Sequence, residues 1–91
     1  MLYVVCYDIS EDRLRDRVSN ALLDYGTRIQ ESVFECSLDV SDFRRMLQHL
    51  SLIPIEETDK VRIYRLCSPC VEAMQIYGPG ELTRDPDFFL L

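Results

Sequence analysis

The sequence predicts an α+β fold, in which a four-stranded antiparallel sheet is covered by two helices on one face. The chain has 91 residues, of which 47% are hydrophobic and 29% are charged, so it can build the interior of one domain but not of two. Two segments carry apolar residues at helical spacing, and four have the β-branched and aromatic composition of strands. No repeat or linker-like stretch divides the chain.

The first half of the chain is predicted to form a strand, a helix and a second strand. Leu2–Ile9 is apolar on both alternate faces, as expected of a strand covered on both sides. Ser10 can cap the helix that follows, and Gly26 ends it. Arg28–Leu38 then returns to strand composition. The apolar stripe of the helix consists of Leu14, Val18, Ala21, Leu22 and Tyr25.

The second half is predicted to form one helix and two strands. Ser41 can cap a short helix that ends before Pro54, and Lys60–Cys67 and Val71–Tyr77 have strand composition. The resulting order, β-α-β-α-β-β, resembles the split βαβ plan of ferredoxin-like folds with its last pair altered. The apolar face of the second helix consists of Phe43, Met46, Leu47 and Leu50.

A homodimer is predicted from two apolar surfaces that one chain leaves uncovered. Two helices cover one face of the sheet, whereas Leu2–Ile9 is apolar on both, and the chain ends in the apolar run Phe88–Leu91. Pairing of two sheets, with residues 80–91 added as an edge strand to the partner, covers both surfaces. The alternative is a tail that folds back onto its own sheet. We therefore treat residues 1–91 as one domain with a tail that crosses the dimer.

The charge balance and the apolar runs restrict the class of protein. Sixteen acidic against ten basic residues give a net charge of -6, which argues against a self-sufficient nucleic-acid binder. Nine of the ten cations are arginine, however, and arginine makes bidentate contacts with phosphate. No apolar run is long enough for a membrane span, and none resembles a secretory signal, so we expect a cytoplasmic protein with reduced cysteines.

Asp8 is the residue whose position most favours chemistry. It follows a strand predicted to be buried, at an end of the sheet, where functional groups tend to lie. A two-fold axis near this end brings two Asp8 carboxylates together, and such a pair repels unless a cation lies between them. Mg²⁺ accepts one or two carboxylates together with water and phosphate oxygens, and it polarises a phosphodiester. The alternative is a carboxylate that caps the helix or pairs with an arginine.

Other candidate residues give weaker signals. Arg13 and Arg17 are neighbours on the first helix, while Arg15 lies on the other flank of its apolar stripe. The residues alone favour a solvated helix surface for all three, because acidic partners lie among them. Cys67 and Cys70 have the spacing of half a zinc site. A thioredoxin-type motif is not expected there, because a turn into a strand is predicted after it where that motif opens a helix. The residues that complete the formal zinc set are Cys6 and Cys36, and His49 stands alone as a surface residue.

Three segments together resemble the CRISPR-associated protein 2 family: Tyr7-Asp8-Ile9-Ser10, the helix with Arg15 and Arg17, and Gly26–Glu35. The resemblance extends over the whole chain in length and element order. It implies a ferredoxin-like homodimer whose C-terminal strand crosses to the partner, with Mg²⁺, or Mn²⁺, held between the two Asp8 side chains. It also implies a role beside the CRISPR integrase in acquiring spacers for antiviral defence.

The resemblance also implies a set of site residues and an activity. The activity is endonucleolytic cleavage of single-stranded RNA or double-stranded DNA, with arginines that hold the backbone and stabilise the transition state. Two alternatives are a non-catalytic DNA scaffold for the integrase and a small-ligand regulatory domain. Because acidic residues are interleaved with the helix arginines, a partner is expected to supply positive surface. The implied catalytic residues are Tyr7, Asp8, Arg15, Arg17, Arg28 and Phe34, with Asp8 as the metal ligand.

Overall fold

The computed structural model of this chain describes residues 1–78. The tail predicted for residues 80–91 lies outside the described residues. In residues 1–78, no helix is both long enough and apolar enough to cross a membrane. The elements are β1 (Leu2–Asp8), α1 (Asp12–Leu23), β2 (Thr27–Gln30), β3 (Val33–Ser37), α2 (Val40–Ser51), β4 (Lys60–Leu66) and α3 (Ser68–Glu72).

The four strands form one antiparallel sheet in the order β2-β3-β1-β4. The first six elements follow the order β-α-β-β-α-β, which is the unaltered ferredoxin-like plan. The predicted fold class is therefore confirmed, with its four-stranded antiparallel sheet and two helices on one face. The predicted order of the elements is wrong in two places.

The segment Arg28–Leu38, predicted as one strand, is a hairpin. β2 and β3 are joined by a turn at Glu31 and Ser32, and a bulge interrupts the register between Arg28 and Gln30. The strand composition continues through the turn, which lacks the glycine or asparagine that usually marks a tight hairpin. Composition alone therefore merges the two strands.

The segment Val71–Tyr77, predicted as a strand, contributes to a short helix. α3 begins after Cys67 and has Pro69 in its first turn, where the missing amide proton and fixed φ of proline suit a helix. Val71 is buried while its neighbours Glu72 and Ala73 are exposed. The apolar residues on which the strand prediction rested lie partly in this helix.

Both long helices begin at capping residues other than the predicted serines. The N-cap of α1 is Glu11 rather than Ser10, whose backbone amide bonds elsewhere. The N-cap of α2 is Asp39 rather than Ser41, and its carboxylate accepts the Asp42 amide at 2.7 Å. An aspartate two residues earlier reaches the first turn just as a serine does, so the helix start shifts without changing its apolar face.

The core lies between the helices and one face of the sheet. Tyr3, Val5 and Tyr7 alternate along β1 toward the helices, and they are at most 7% exposed. The ring of Tyr3 stacks on Phe43 of α2 with centroids 4.3 Å apart. Both predicted helix stripes contribute to this core. Its remaining buried members include Leu14, Val18, Leu22, Phe34, Cys36, Leu38, Met46 and Ile53.

Gly26 allows the close approach of α1 to the hairpin. A β-carbon at this position would collide with the backbone oxygen of Glu35 and with the sulfur of Cys36. The glycine is therefore required by the packing of β3 against the end of α1, since no larger residue fits without a backbone shift.

The buried thiol of Cys36 gives the fold a measurable dependence on alkaline pH. Burial, assisted by the Glu35 carboxylate, raises the pKa of this thiol from 9.0 to about 11. Between pH 9 and 11 the unfolded chain ionises this group while the folded chain keeps it protonated, so the free energy of unfolding falls by about 1 kcal/mol per pH unit. Urea unfolding from pH 8 to 11 measures this fall.

The matched variant for the Cys36 prediction is Cys36→Ala. Its free energy of unfolding should fall less steeply than that of the wild type over the same pH range, because the two proteins differ only in this thiol. Parallel pH profiles for the two proteins would contradict the assignment.

Candidate functional site

The site is built at the end of β1, where two neighbouring residues point to opposite sides of the sheet. Tyr7 points into the core and is 5% exposed, whereas Asp8 is exposed. Asp8 pairs in register with Lys60, the first residue of β4. The strand therefore presents one free carboxylate at its end, anchored by the buried ring that precedes it.

Tyr7 joins β1 to the turn between β2 and β3. Its hydroxyl donates to the backbone oxygen of Glu31 at 3.1 Å, and its amide donates to the backbone oxygen of Ser32 at 3.1 Å. These two bonds hold the hairpin turn beside Asp8. The hairpin that the sequence did not predict thus supplies one wall of the site.

Asp59 holds the loop that follows Asp8, and sequence reasoning missed it. One carboxylate oxygen accepts the amide of Ser10 at 3.1 Å, and the other accepts the amide of Glu56 at 2.9 Å. Asp59 is 9% exposed, so both bonds are shielded from water on most sides. The only sequence signal is an aspartate just before a strand, where Asp often bonds nearby amides. Its link to Ser10 crosses 49 positions of sequence.

Arg15 joins α1 to the same strand end. Its Nη1 donates to the backbone oxygen of Ile9 at 3.1 Å, and its other guanidinium nitrogen pairs with Asp12. The side chain is about one-third exposed, at 38%. Arg15 therefore fixes the start of α1 and leaves part of its guanidinium open to solvent next to Asp8.

These groups surround an open depression of about 290 Å³. Three of the six predicted site residues, Tyr7, Asp8 and Arg15, line it. A carboxylate and a guanidinium in one depression can hold a cation and a phosphate side by side. The other lining residues are Ile9, Glu31 and Ser32.

Arg28 and Phe34 lie behind Tyr7 rather than in the depression. The Arg28 guanidinium carbon lies 5.3 Å from the centre of the Phe34 ring, which is a cation–π contact, and the guanidinium also bonds the Ser19 hydroxyl. The Phe34 ring stacks on Tyr7 with centroids 6.3 Å apart. Phe34 is fully buried, so it acts by supporting Tyr7 and Arg28.

Arg17 lies on a different side of α1. It lines a separate shallow depression with Asn20, Ala21 and residues of the α2 end, His49 among them. The structure thus does not bring Arg17 into the depression that contains Asp8. The Nδ1 atom of His49 lies 2.6 Å from the hydroxyl oxygen of Tyr25.

The described part of the chain does not assemble a complete set of metal ligands from its own side chains. In residues 1–78, no three His, Cys, Asp or Glu side chains come close enough to hold a metal ion. Cys6 and Cys36 lie on β1 and β3, away from a pair formed by Cys67 and Cys70, so the formal zinc set does not converge. Within residues 1–78, a cation at Asp8 therefore finds fewer than three such side chains as ligands.

Comparison with known proteins places this geometry in a family. The family model for the CRISPR associated protein Cas2 matches residues 1–74. A curated relative from Chloroflexus aurantiacus, named CRISPR-associated endoribonuclease Cas2 1, is 47% identical over 81 residues, which cover 88% of this chain and 87% of the relative.

Two solved structures are similar along most of the described chain. The crystal structure of Streptococcus pyogenes Cas2 at pH 6.5 matches with a TM-score of 0.73 and 31% identity, covering 86% of this chain and 100% of that one. A chain of the structure titled partial Cas6-RT-Cas1--Cas2 complex matches with a TM-score of 0.66 and 31% identity, covering 82% and 88%. The chain described here, with its ferredoxin-like sheet and its exposed strand-end aspartate, belongs to the Cas2 family of CRISPR-associated proteins.

Proposed function

We propose that this chain is a metal-dependent endonuclease of CRISPR adaptation that cleaves phosphodiester bonds. Its first proposed substrate is single-stranded RNA. The observation that carries the proposal is the exposed Asp8 carboxylate in one depression with the Arg15 guanidinium. The name of the Chloroflexus relative, an endoribonuclease, supports the choice of RNA. Double-stranded DNA is the second substrate to be tested.

The proposed active form is a homodimer joined through the open face of the sheet. On the side of β1 that the helices do not cover, Val4 and Cys6 are only half-buried, and Asp8 follows them on the same side. Val4 pairs in register with Tyr64, which is 48% exposed. A second copy packed on this face covers the apolar residues and brings two Asp8 residues toward one axis.

Mg²⁺ suits the donors that this site offers. One chain supplies a single exposed carboxylate at the end of β1, and Mg²⁺ uses one or two carboxylates and completes its shell with water and phosphate oxygens. The two Asp8 residues of the dimer would hold the ion. When bound, it supplies positive charge that polarises the scissile phosphodiester.

The remaining residues orient the substrate and the carboxylate. Arg15 is placed to contact a phosphate in the depression, and its bond to Ile9 fixes the backbone directly after Asp8. Arg28 is held over Phe34, at an exposed edge of the sheet, where it can contact a neighbouring phosphate. Arg17 lies elsewhere on α1 and is proposed to bind more distant nucleic acid or a protein partner.

The test is cleavage of a labelled single-stranded RNA and a matched DNA duplex by wild type and Asp8→Asn, with Mg²⁺ or with EDTA. Removing the carboxylate should lower the wild-type rate by about 100-fold or more, as expected when one charge-stabilising group is lost. EDTA should have the same effect on the wild type. The variant should remain folded, because Asp8 is exposed.

The matched control is Asp16→Asn, which removes one exposed carboxylate from α1 and leaves the strand end unchanged. It should cleave at the wild-type rate. Equal cleavage by wild type and Asp8→Asn, or cleavage that persists in EDTA, would overturn the proposal. Sedimentation equilibrium of the same samples should give the mass of a dimer.

A DNA scaffold for the integrase is the second candidate function. Two observations favour it: the net charge of -6, which weakens autonomous binding of nucleic acid, and the similarity to a chain in a Cas1–Cas2 complex. Here we expect purified integrase to bind wild type and Asp8→Asn equally, while neither protein cleaves. Failure of both to bind would count against this function.

A further inference from the structure

Two cysteines meet at the junction of β4 and α3, and the proposed nuclease function uses neither. Cys67 is the N-cap of α3 and Cys70 lies within it, with their sulfurs 3.3 Å apart. Both residues are exposed. A free pair of thiols in contact at the surface is open to reagents in solution.

The Cys-x-x-Cys segment opens a helix in the structure, so the predicted turn into a strand no longer counts against a redox motif at this segment. The sequence predicted a turn into a strand after this Cys-x-x-Cys segment, but the chain runs from β4 directly into α3. Pro69 lies between the cysteines in the first turn of α3, where its ring restricts the backbone. The two sulfurs are therefore held together by local geometry.

The two thiols have different acidities. Hydrogen bonds with the backbone and then the thiol of Cys70 lower the pKa of Cys67, and the positive charge of Arg65 lowers it further. The hydrogen bond and charge of Cys67 raise the pKa of Cys70. Since the thiolate is the nucleophile, Cys67 is the attacking residue and Cys70 the resolving one.

The other cysteines offer no such chemistry. Cys36 is fully buried, and burial raises its pKa to about 11. Cys6 lies on β1 and is half-buried. The pair is also remote from Asp8, because Asp8 pairs with the first residue of β4 and the cysteines follow the last, about 20 Å along the strand.

We propose that Cys67 and Cys70 form a redox-active dithiol that converts to an intrachain disulfide by exchange with small-molecule disulfides of the glutathione class. The Cys67 thiolate attacks one sulfur of the small disulfide, forms a mixed disulfide and releases one small thiolate. The Cys70 thiolate then attacks the Cys67 sulfur and releases the second. Two protein thiols are oxidised, one small disulfide is reduced to two thiols, and two protons leave with them.

The test uses the full chain, reduced and then equilibrated in glutathione buffers of increasing oxidised fraction. After acid quenching, free thiols are alkylated with N-ethylmaleimide and tryptic peptides are weighed. We expect the peptide of residues 66–84 to lose both alkylatable thiols. Its mass should be two hydrogens below that of the same peptide in its reduced, unalkylated form. Cys70→Ser should stop at one glutathione on Cys67. Cys6→Ser is the matched control and should oxidise as wild type does.

Three outcomes would overturn the proposal. The thiols of Cys67 and Cys70 could both remain alkylated in the most oxidising buffer, each of the two could carry its own glutathione, or one of them could form a disulfide that joins two chains. Asp8→Asn should form the intrachain disulfide as readily as wild type, because its carboxylate lies at the other end of β4. Failure of the nuclease proposal therefore leaves this result unchanged, and the converse also holds.

Discussion

Phe34→Ala is expected to destabilise the protein by about 3 to 5 kcal/mol, the range for removing a large ring from a packed interior. Phe34 is fully buried in β3 and contacts both the Tyr7 ring and the Arg28 guanidinium. Its loss leaves a cavity beneath Tyr7. Urea unfolding followed by circular dichroism measures the change, and cleavage by the folded fraction should also fall because Tyr7 loses its support.

A double-mutant cycle separates the ring's contact with Arg28 from the volume that it fills. Phe34→Leu keeps an apolar side chain but removes the aromatic face, and Arg28→Gln removes the cation. The coupling free energy between them should be about 0.5 to 1 kcal/mol, as expected for a partly solvated cation–π contact. A coupling of zero would mean that Arg28 is held by its bond to Ser19 instead.

Asp59→Ala is expected to destabilise the protein by about 2 to 4 kcal/mol, because two shielded backbone amides lose a charged acceptor. The amides belong to Ser10 and Glu56, and the first follows Asp8 by two positions. The β1–α1 loop should therefore open more often. Hydrogen exchange of these two amides, measured by NMR together with urea unfolding, should become faster than in wild type.

The controls for Asp59 separate its charge from its geometry. Asp59→Asn keeps the shape and one acceptor but turns an amide group toward the other backbone N–H, so an intermediate loss of stability is expected. Glu57→Ala removes a nearby exposed carboxylate and should leave both stability and exchange unchanged. Exchange of the Ser10 and Glu56 amides at wild-type rates in Asp59→Ala would show that other contacts hold the loop.

Local patterns in the sequence were sufficient for the elements with long, regular signals. The helical spacing of Leu14, Val18 and Leu22 predicted α1, and these side chains are buried. The run Leu2–Ile9, apolar on both alternate faces, predicted β1, and with it a carboxylate near a strand end. The hairpin could not be predicted, because its turn at Glu31 and Ser32 carries neither the glycine nor the asparagine that usually marks a tight turn.

The sequence by itself therefore determined the fold class, the first strand, the two covering helices and the position of Asp8, because helical and strand periodicity is set by neighbours a few residues apart. Only the tertiary structure decided which side chains share the site: it brought Arg15 to Asp8, placed Arg17 elsewhere, and joined Asp59 to Ser10. Contacts between residues so distant in the chain depend on how the elements pack, and no local pattern encodes them.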